Sequence, residues 1–295
     1  MKQIFISALV VVLLGCTIGF SILGYHDSQI ADTPTVSSPS AVSASAVSSS
    51  AIGGYNSLLP EDLNSILDGS TTVPVDTIPN SLTVLANRNY LLPANYAPTD
   101  LAEPDIRFSF SYKGDKRKLR KEAADAIEQL FRAAEKKKVI LYAVSGYRSY
   151  TRQKQIYDRN VSTRGKTATD KVSAMPGSSE HQTGLTMDIS ANSVGCQLSQ
   201  YFGSTREGKW VAKNAHKYGY IIRYPEGKSK ITGYHYEPWH IRYVGKTLAT
   251  YLYKNKLTLE EFYGVSCNKE EKDTGVDVEE PDKVKYKDKK KKRSK

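Results

Sequence analysis

Ten residues, Ser179-Glu-His-Gln-Thr-Gly-Leu-Thr-Met-Asp188, and the tetrad Glu237-Pro-Trp-His240 constrain this chain more than any other feature, because together they supply two imidazoles, a short carboxylate and a longer one. That is the donor set of an open zinc site, in which three protein ligands leave a fourth position for water and a nearby carboxylate serves as base. His181, Asp188 and His240 read as the ligands and Glu237 as the base. Gly184 lets the chain turn from the loop bearing His181 onto a strand bearing Asp188. Glu237 and His240 are three apart, and on a regular strand such residues face opposite sides. Pro238 between them removes a ladder donor and bends the strand, which can bring both to one site. His235 shares a strand face with Glu237 and is the rival ligand. A histidine that only hydrogen-bonds within a fold is commoner than a ligand, so spacing alone leaves both readings open. Of the remaining two histidines, His26 flanks an apolar run and His216 lies on a charged helix face; both read as inert.

Around this centre the chain divides by composition. Ile4 to Leu23 is an apolar stretch without charge, close to the ~20 residues that a membrane-spanning helix requires. Residues 1–27 therefore read as a membrane anchor or signal segment, with a lipoprotein signal at Leu13-Leu14-Gly15-Cys16 as the competing reading. Residues 28–57 are rich in Ser, Ala and Val, have no hydrophobic period and read as a stalk. Residues 58–79 read as an irregular lead-in, residues 80–265 as the folded domain and residues 268–295 as a charged, Lys-rich disordered tail; the Pro-punctuated stretch 58–104 as a whole is expected to pack extended on the domain surface. The formal net charge is +11, but Lys283–Lys295 holds nine Lys or Arg and a single Asp, so the body is only mildly basic. Such a run suits anionic wall polymers or lipid headgroups. The 20 tyrosines come without the basic strand pattern of a stacking platform, so nucleic acid is not expected. No Cys-x-x-Cys pair is present, which argues against a thiolate zinc site; in an exported protein Cys196 and Cys267 are a candidate disulfide, with two unpaired residues the equal alternative.

Within the domain, Leu119, Ala123, Ile127, Leu130 and Ala134 form one apolar stripe on a charged helix over about 115–137. A buried strand is expected over 139–144 and a helix over 151–161. Further elements are a strand over 185–189, a helix over 207–218 stopped by Gly219, and a strand over 220–224. A strand over 234–243 interrupted at Pro238 and a helix over 246–254 follow. This is an α+β pattern with no internal repeat. Arg148 follows the first strand, and its planar guanidinium suits bidentate capture of a carboxylate or a developing oxyanion. A surface arginine capping a neighbouring element is the alternative.

Assembled, these pieces resemble the D-alanyl-D-alanine carboxypeptidases of VanY type, together with the related L,D-carboxypeptidases of peptidoglycan. The resemblance is carried by Ser145-Gly-Tyr-Arg-Ser149 with Gln153, Ser179-x-His181-x-x-Gly184-x-x-x-Asp188, Gly219-Tyr-Ile-Ile-Arg-Tyr-Pro225 and Glu237-Pro-Trp-His-x-Arg242-Tyr, over roughly residues 80–263. It implies a hedgehog/DD-peptidase-like fold, an antiparallel sheet with flanking helices around one Zn2+ per chain held by His181, Asp188 and His240. It further implies Glu237 as the base that activates water, and Arg148, Gln153 and Ser179 as contacts to the terminal residues of a stem peptide. Thr186 departs from the small residue that the family often has before the Asp. The implied activity is removal of a C-terminal D-alanine from peptidoglycan stems. The alternatives are L,D-cleavage of tetrapeptide stems and a non-catalytic wall-binding domain with structural zinc. The expected setting is extracytoplasmic and membrane-anchored, as a monomer.

Overall fold

A computed structural model of the chain describes residues 73–267. The anchor, the stalk, the first part of the lead-in and the Lys-rich tail lie outside the described residues. Among the described residues no helix is long and apolar enough to cross a membrane.

Four antiparallel strands make the central sheet: β1 (Tyr142–Ser145), β2 (Thr186–Ser190), β3 (Tyr220–Tyr224) and β4 (Glu237–Tyr243), in the spatial order β1-β2-β4-β3. Period-two alternation divides each strand between two faces. Leu185, Met187, Ile189, Ile241 and Tyr220 enter one apolar core with helix α1 (Lys121–Lys136). Thr186, Asp188, His240 and Arg242 belong to the opposite set, and all four are buried. That second face is lined by polar and charged groups, so it must supply each of them with a partner.

The stripe read from the sequence is the buried edge of α1: Ala123, Ile127, Leu130 and Ala134 are each 0% exposed. Every Ile or Leu so buried contributes about 1.5–3 kcal/mol. The helix starts at Lys121 rather than near Asp115, because Leu119 and Arg120 pair as a short ladder with Leu101 and Ala102, and Arg120 stays extended (φ −59°, ψ 146°). Helix α2 (Tyr150–Arg164) opens on Ser149, whose side chain accepts the Arg152 N–H, and α3 (Lys166–Val172) follows it. Helix α4 (Arg206–Asn214) runs into a 3-10 turn that ends at Gly219, in the left-handed region at φ 82°. The chain closes through α5 (Ser229–Thr232), α6 (Lys246–Asn255) and α7 (Leu259–Phe262). Thr258 and Glu261 form a capping box at the start of α7.

The described part of the 58–104 stretch, expected on the surface, supplies core instead. Val73 and Leu85 pack with Leu248, Leu252 and Phe262 of α6 and α7, and Leu82 joins the α1 core. Its backbone also takes part, since the Leu82 and Val84 carbonyls accept from the Arg242 guanidinium at 3.0 and 2.9 Å. Cys196 and Cys267, the candidate disulfide, are both free thiols.

Candidate active site

Register brings the functional groups together. On neighbouring strands Asp188 lies directly opposite Ser145 on one side and His240 on the other. Directly opposed residues of an antiparallel pair carry their Cβ atoms about 4.5–5.5 Å apart on one face. Asp188 Oδ1 is thereby 3.2 Å from His240 Nδ1. His181 comes from a 3-10 turn, Glu180–Thr183, which ends at Gly184 in the left-handed region (φ 68°). Its Nε2 is 3.3 Å from Asp188 Oδ2, and its Nδ1 lies 2.8 Å from the Gly146 carbonyl. Gly146 has no room for a side chain, since a Cβ there would stand 2.5 Å from the Lys118 carbonyl oxygen.

Glu237 and His240 do share a side, with Glu237 Oε2 3.7 Å from His240 Nδ1. The strand begins at Glu237, and its ladder with β3 is irregular at Pro238: Ile222 pairs with Ile241 but Tyr224 with Glu237, so Arg223 alone faces Pro238, Trp239 and His240 and the bulge lies in β4. His235, the rival ligand, is exposed and precedes the strand, so it has no part in the cluster.

Among the described residues His181, Asp188 and His240 are the group whose donor atoms could hold a metal, all within 4.8 Å of one another. A tetrahedral ion with ligands at about 2.0–2.2 Å sets its donors about 3.3–3.6 Å apart; the two imidazole nitrogens stand 3.3 and 3.2 Å from Asp188, each against a different carboxylate oxygen, close to that separation. Asp188 Oδ1 and His240 Nε2 are buried and make no hydrogen bond. Two imidazoles and a carboxylate with an orphaned oxygen are a donor set that fits Zn2+.

The electrostatics follow from burial against charge. Burial alone would raise Asp188, but His181 and His240 beside it hold it well below the usual carboxylate range. Burial lowers His181, opposed by Asp188. His240 goes the other way: burial would lower it, yet Asp188 and Glu180 carry it up to about 9. Burial pushes the Glu237 carboxyl up to about 7, with His240 and Arg148 pulling against it.

Arg148 hangs from the loop between β1 and α2. Its backbone N–H donates to the His181 carbonyl at 3.1 Å, and its guanidinium donates to Gln153 Oε1 at 2.9 Å and Ser145 Oγ at 3.2 Å. It lines a cleft of ≈ 460 Å3 with Tyr112, Tyr147, Arg152 and Ile156. Gln153 is buried and donates its own amide to the Ala174 carbonyl at 2.6 Å, so it braces Arg148. Ser179, also buried, leads into the 3-10 turn, its carbonyl accepting the Gln182 N–H at 3.1 Å.

A second layer was not anticipated from the sequence. Behind the cluster Glu180, Arg223, Arg242 and Glu260 form a wholly buried network of carboxylates and guanidiniums. An arginine inside each of two apolar strands, Tyr-Ile-Ile-Arg-Tyr and His-Ile-Arg-Tyr, was the available signal, because a buried charge demands a partner.

Comparison with known proteins places these features. The family model described as VanY, D-alanyl-D-alanine carboxypeptidase, matches residues 116–246. The chain is 56% identical over 185 residues to the putative carboxypeptidase YodJ of Bacillus subtilis (strain 168), covering 63% of this chain and 68% of that protein. It is similar to the solved structure of the LdcB LD-carboxypeptidase, described as revealing the basis of peptidoglycan recognition, at 52% identity and a TM-score of 0.62. That match covers 66% of this chain and 94% of the other. It is also similar to a variant of the vancomycin-resistance D,D-pentapeptidase VanY solved in complex with Zn(II), at 32% identity and a TM-score of 0.50, over 61% of this chain and 97% of that one.

Proposed function

The chain belongs to the VanY family of D-alanyl-D-alanine carboxypeptidases, and on that premise we propose that it is a zinc-dependent carboxypeptidase releasing the C-terminal D-alanine of peptidoglycan stem peptides. The observation that carries this reading is the convergence of His181, Asp188 and His240 on one buried point with Glu237 and Arg148 facing it. His181 through Nε2, Asp188, and His240 through Nδ1 would hold the ion. When bound, Zn2+ supplies Lewis acidity toward the scissile carbonyl and toward water.

The chain's own groups do the rest. The Arg148 fork, fixed by Gln153 and Ser145, keeps donors free to pair with the substrate's terminal carboxylate. The cleft beside it gives the peptide room. Glu237 accepts a proton from the water that attacks the scissile carbonyl and passes it to the departing amine nitrogen. The net change is addition of water across the amide, hydroxyl to carbon and hydrogen to nitrogen. An unliganded carboxylate in this place favours an enzyme over a structural zinc domain.

The 52% likeness to an LD-carboxypeptidase, against 32% to a D,D-pentapeptidase, favours cleavage between an L-configured centre and D-alanine. D,D-cleavage is the second reading, supported by the family description. Mass spectrometry of tetrapeptide and pentapeptide stems incubated with the full chain tests both. Loss of one alanine from the tetrapeptide, abolished by a chelator and restored by Zn2+, is the expected result. Loss from the pentapeptide alone turns the assignment to D,D, and no loss from either by a zinc-loaded protein overturns the enzyme reading. A wall substrate also puts the domain outside the cytoplasm. The apolar run Ile4 to Leu23 is proposed as its tether and the Lys-rich tail as a contact to anionic wall polymers or headgroups.

Arg148→Ala should lower kcat/KM by about 10- to 100-fold, chiefly through KM, because a hydrogen bond to a charged group contributes about 1.5–3 kcal/mol. Amidating the peptide's C-terminus should cost the wild type a similar factor and the variant almost none. An Arg148→Ala protein that still discriminates acid from amide would remove the role.

A further inference from the structure

The two imidazoles of the cluster present different nitrogens to it, and the nitrogens left over show what holds each ring. His181 spends Nδ1 on the Gly146 carbonyl, leaving Nε2 beside Asp188. His240 is turned the other way: Nδ1 faces Asp188 and Glu237, while Nε2 lies 3.5 Å from Glu180 Oε2. No ordinary hydrogen bond reaches that nitrogen, although a buried ring N–H needs an acceptor. Glu180 is built to be one. Its side chain is wholly buried, its Oε1 takes Arg223 and Arg242, each at 2.7 Å, and its Oε2 is left toward His240 and Thr186 Oγ1.

Metal-ligating imidazoles generally donate their second N–H to a carboxylate or carbonyl, which fixes the tautomer and raises ligand basicity. We propose that Glu180 is a positioning residue for the metal centre, holding His240 with its proton on Nε2 and Nδ1 free to ligate, while two buried arginines hold Glu180. The inference rests on the zinc reading above. It explains why one 3-10 turn carries both Glu180 and His181: the turn supplies one ligand and the brace for the other. Glu180 touches neither the substrate's path nor the reacting atoms, so its effect runs through His240.

The test is zinc affinity of the full chain, measured by competition with a chromophoric chelator, alongside circular dichroism to confirm folding. Glu180→Asp keeps the charge opposite the arginines and shortens the side chain by a methylene. Glu180→Gln combined with Arg242→Met removes the carboxylate while keeping the buried network neutral, and it carries the test where the single variant does not fold. Both are expected to raise the zinc Kd about 10- to 100-fold, whereas Leu130→Ala, a cavity in the distant α1 core, should leave Kd within about threefold. A folded Glu180 variant with wild-type Kd, or a Leu130→Ala protein that loses affinity equally, overturns the positioning role. A wild-type chain with no zinc affinity overturns the metal reading itself.

Discussion

A Glu237→Gln enzyme is expected to bind zinc and peptide as the wild type does and to turn over about 10²–10⁴-fold more slowly, the range that a positioned general base contributes. The substitution keeps the volume and removes the proton acceptor. Glu237 faces the ligand set without belonging to it, and its side chain is 27% exposed where those of Asp188 and His240 are 5% and 6%. It makes an ion pair with His240 at 3.7 Å, and its loss leaves no buried charge unpaired. Stability should therefore hold while kcat collapses with little change in KM. Zinc content by atomic emission, KM and kcat on the cleaved stem, and the thermal midpoint separate the outcomes. Fully active protein would sink the base assignment. Loss of zinc together with activity would make Glu237 a ligand.

The residues that meet in this cluster were legible in the sequence because each sits in a short motif and the motifs jointly resemble one family; spacing alone left the histidines open between ligand and structural roles. What the motifs could not show is how the two halves meet. Asp188 and His240 are far apart in the chain, and it is the β2–β4 register that makes them cross-strand partners. Pro238 does lie at the irregularity expected of it. Between the Ile222–Ile241 and Tyr224–Glu237 pairs, one residue of β3 faces three of β4, and this bulge lets Glu237 and His240 share a side; the sequence marks its place by the proline but not its size. The start of α1 was misplaced for a related reason: Leu119 fits the helical stripe yet is spent on a two-residue ladder with Ala102. Helix α3 carries almost no apolar period in Lys-Thr-Ala-Thr-Asp-Lys-Val and offered nothing to read. The stretch before residue 104 looked like surface because Pro and Asn punctuate it, but the Leu82 and Val84 carbonyls serve as acceptors for a buried arginine, a use of backbone that leaves no trace in side-chain hydrophobicity.

That arginine network carries the largest expected effect on stability. Arg223→Met should destabilise the fold by about 3–5 kcal/mol, the usual cost of removing one member of a buried ion pair. Arg223 is 0% exposed and donates three hydrogen bonds, Nε to Glu180 at 2.7 Å and its two terminal nitrogens to Glu260 at 2.7 and 2.6 Å. Burial opposes its charge, yet Glu180 and Glu260 hold it well above the ordinary arginine range. With Met in its place Glu260 keeps the Asn87 amide at 3.0 Å, and its charge is left in the core without a cation. Glu180 fares better because Arg242 still pairs with it. The penalty should therefore be mostly Glu260's, and adding Glu260→Gln to Arg223→Met should recover at least half of the loss. Denaturant unfolding of wild type, both single variants and the double variant reads this directly as a cycle. An Arg223→Met midpoint equal to wild type, or a double variant no more stable than Arg223→Met, would show that the network is not held by charge balance. A positive result would also say why two arginines stand in the sheet's buried face: Arg223 fixes α7 and the Glu180 turn to β3, Arg242 fixes the same turn and the Leu82 and Val84 backbone to β4, and the turn carries His181.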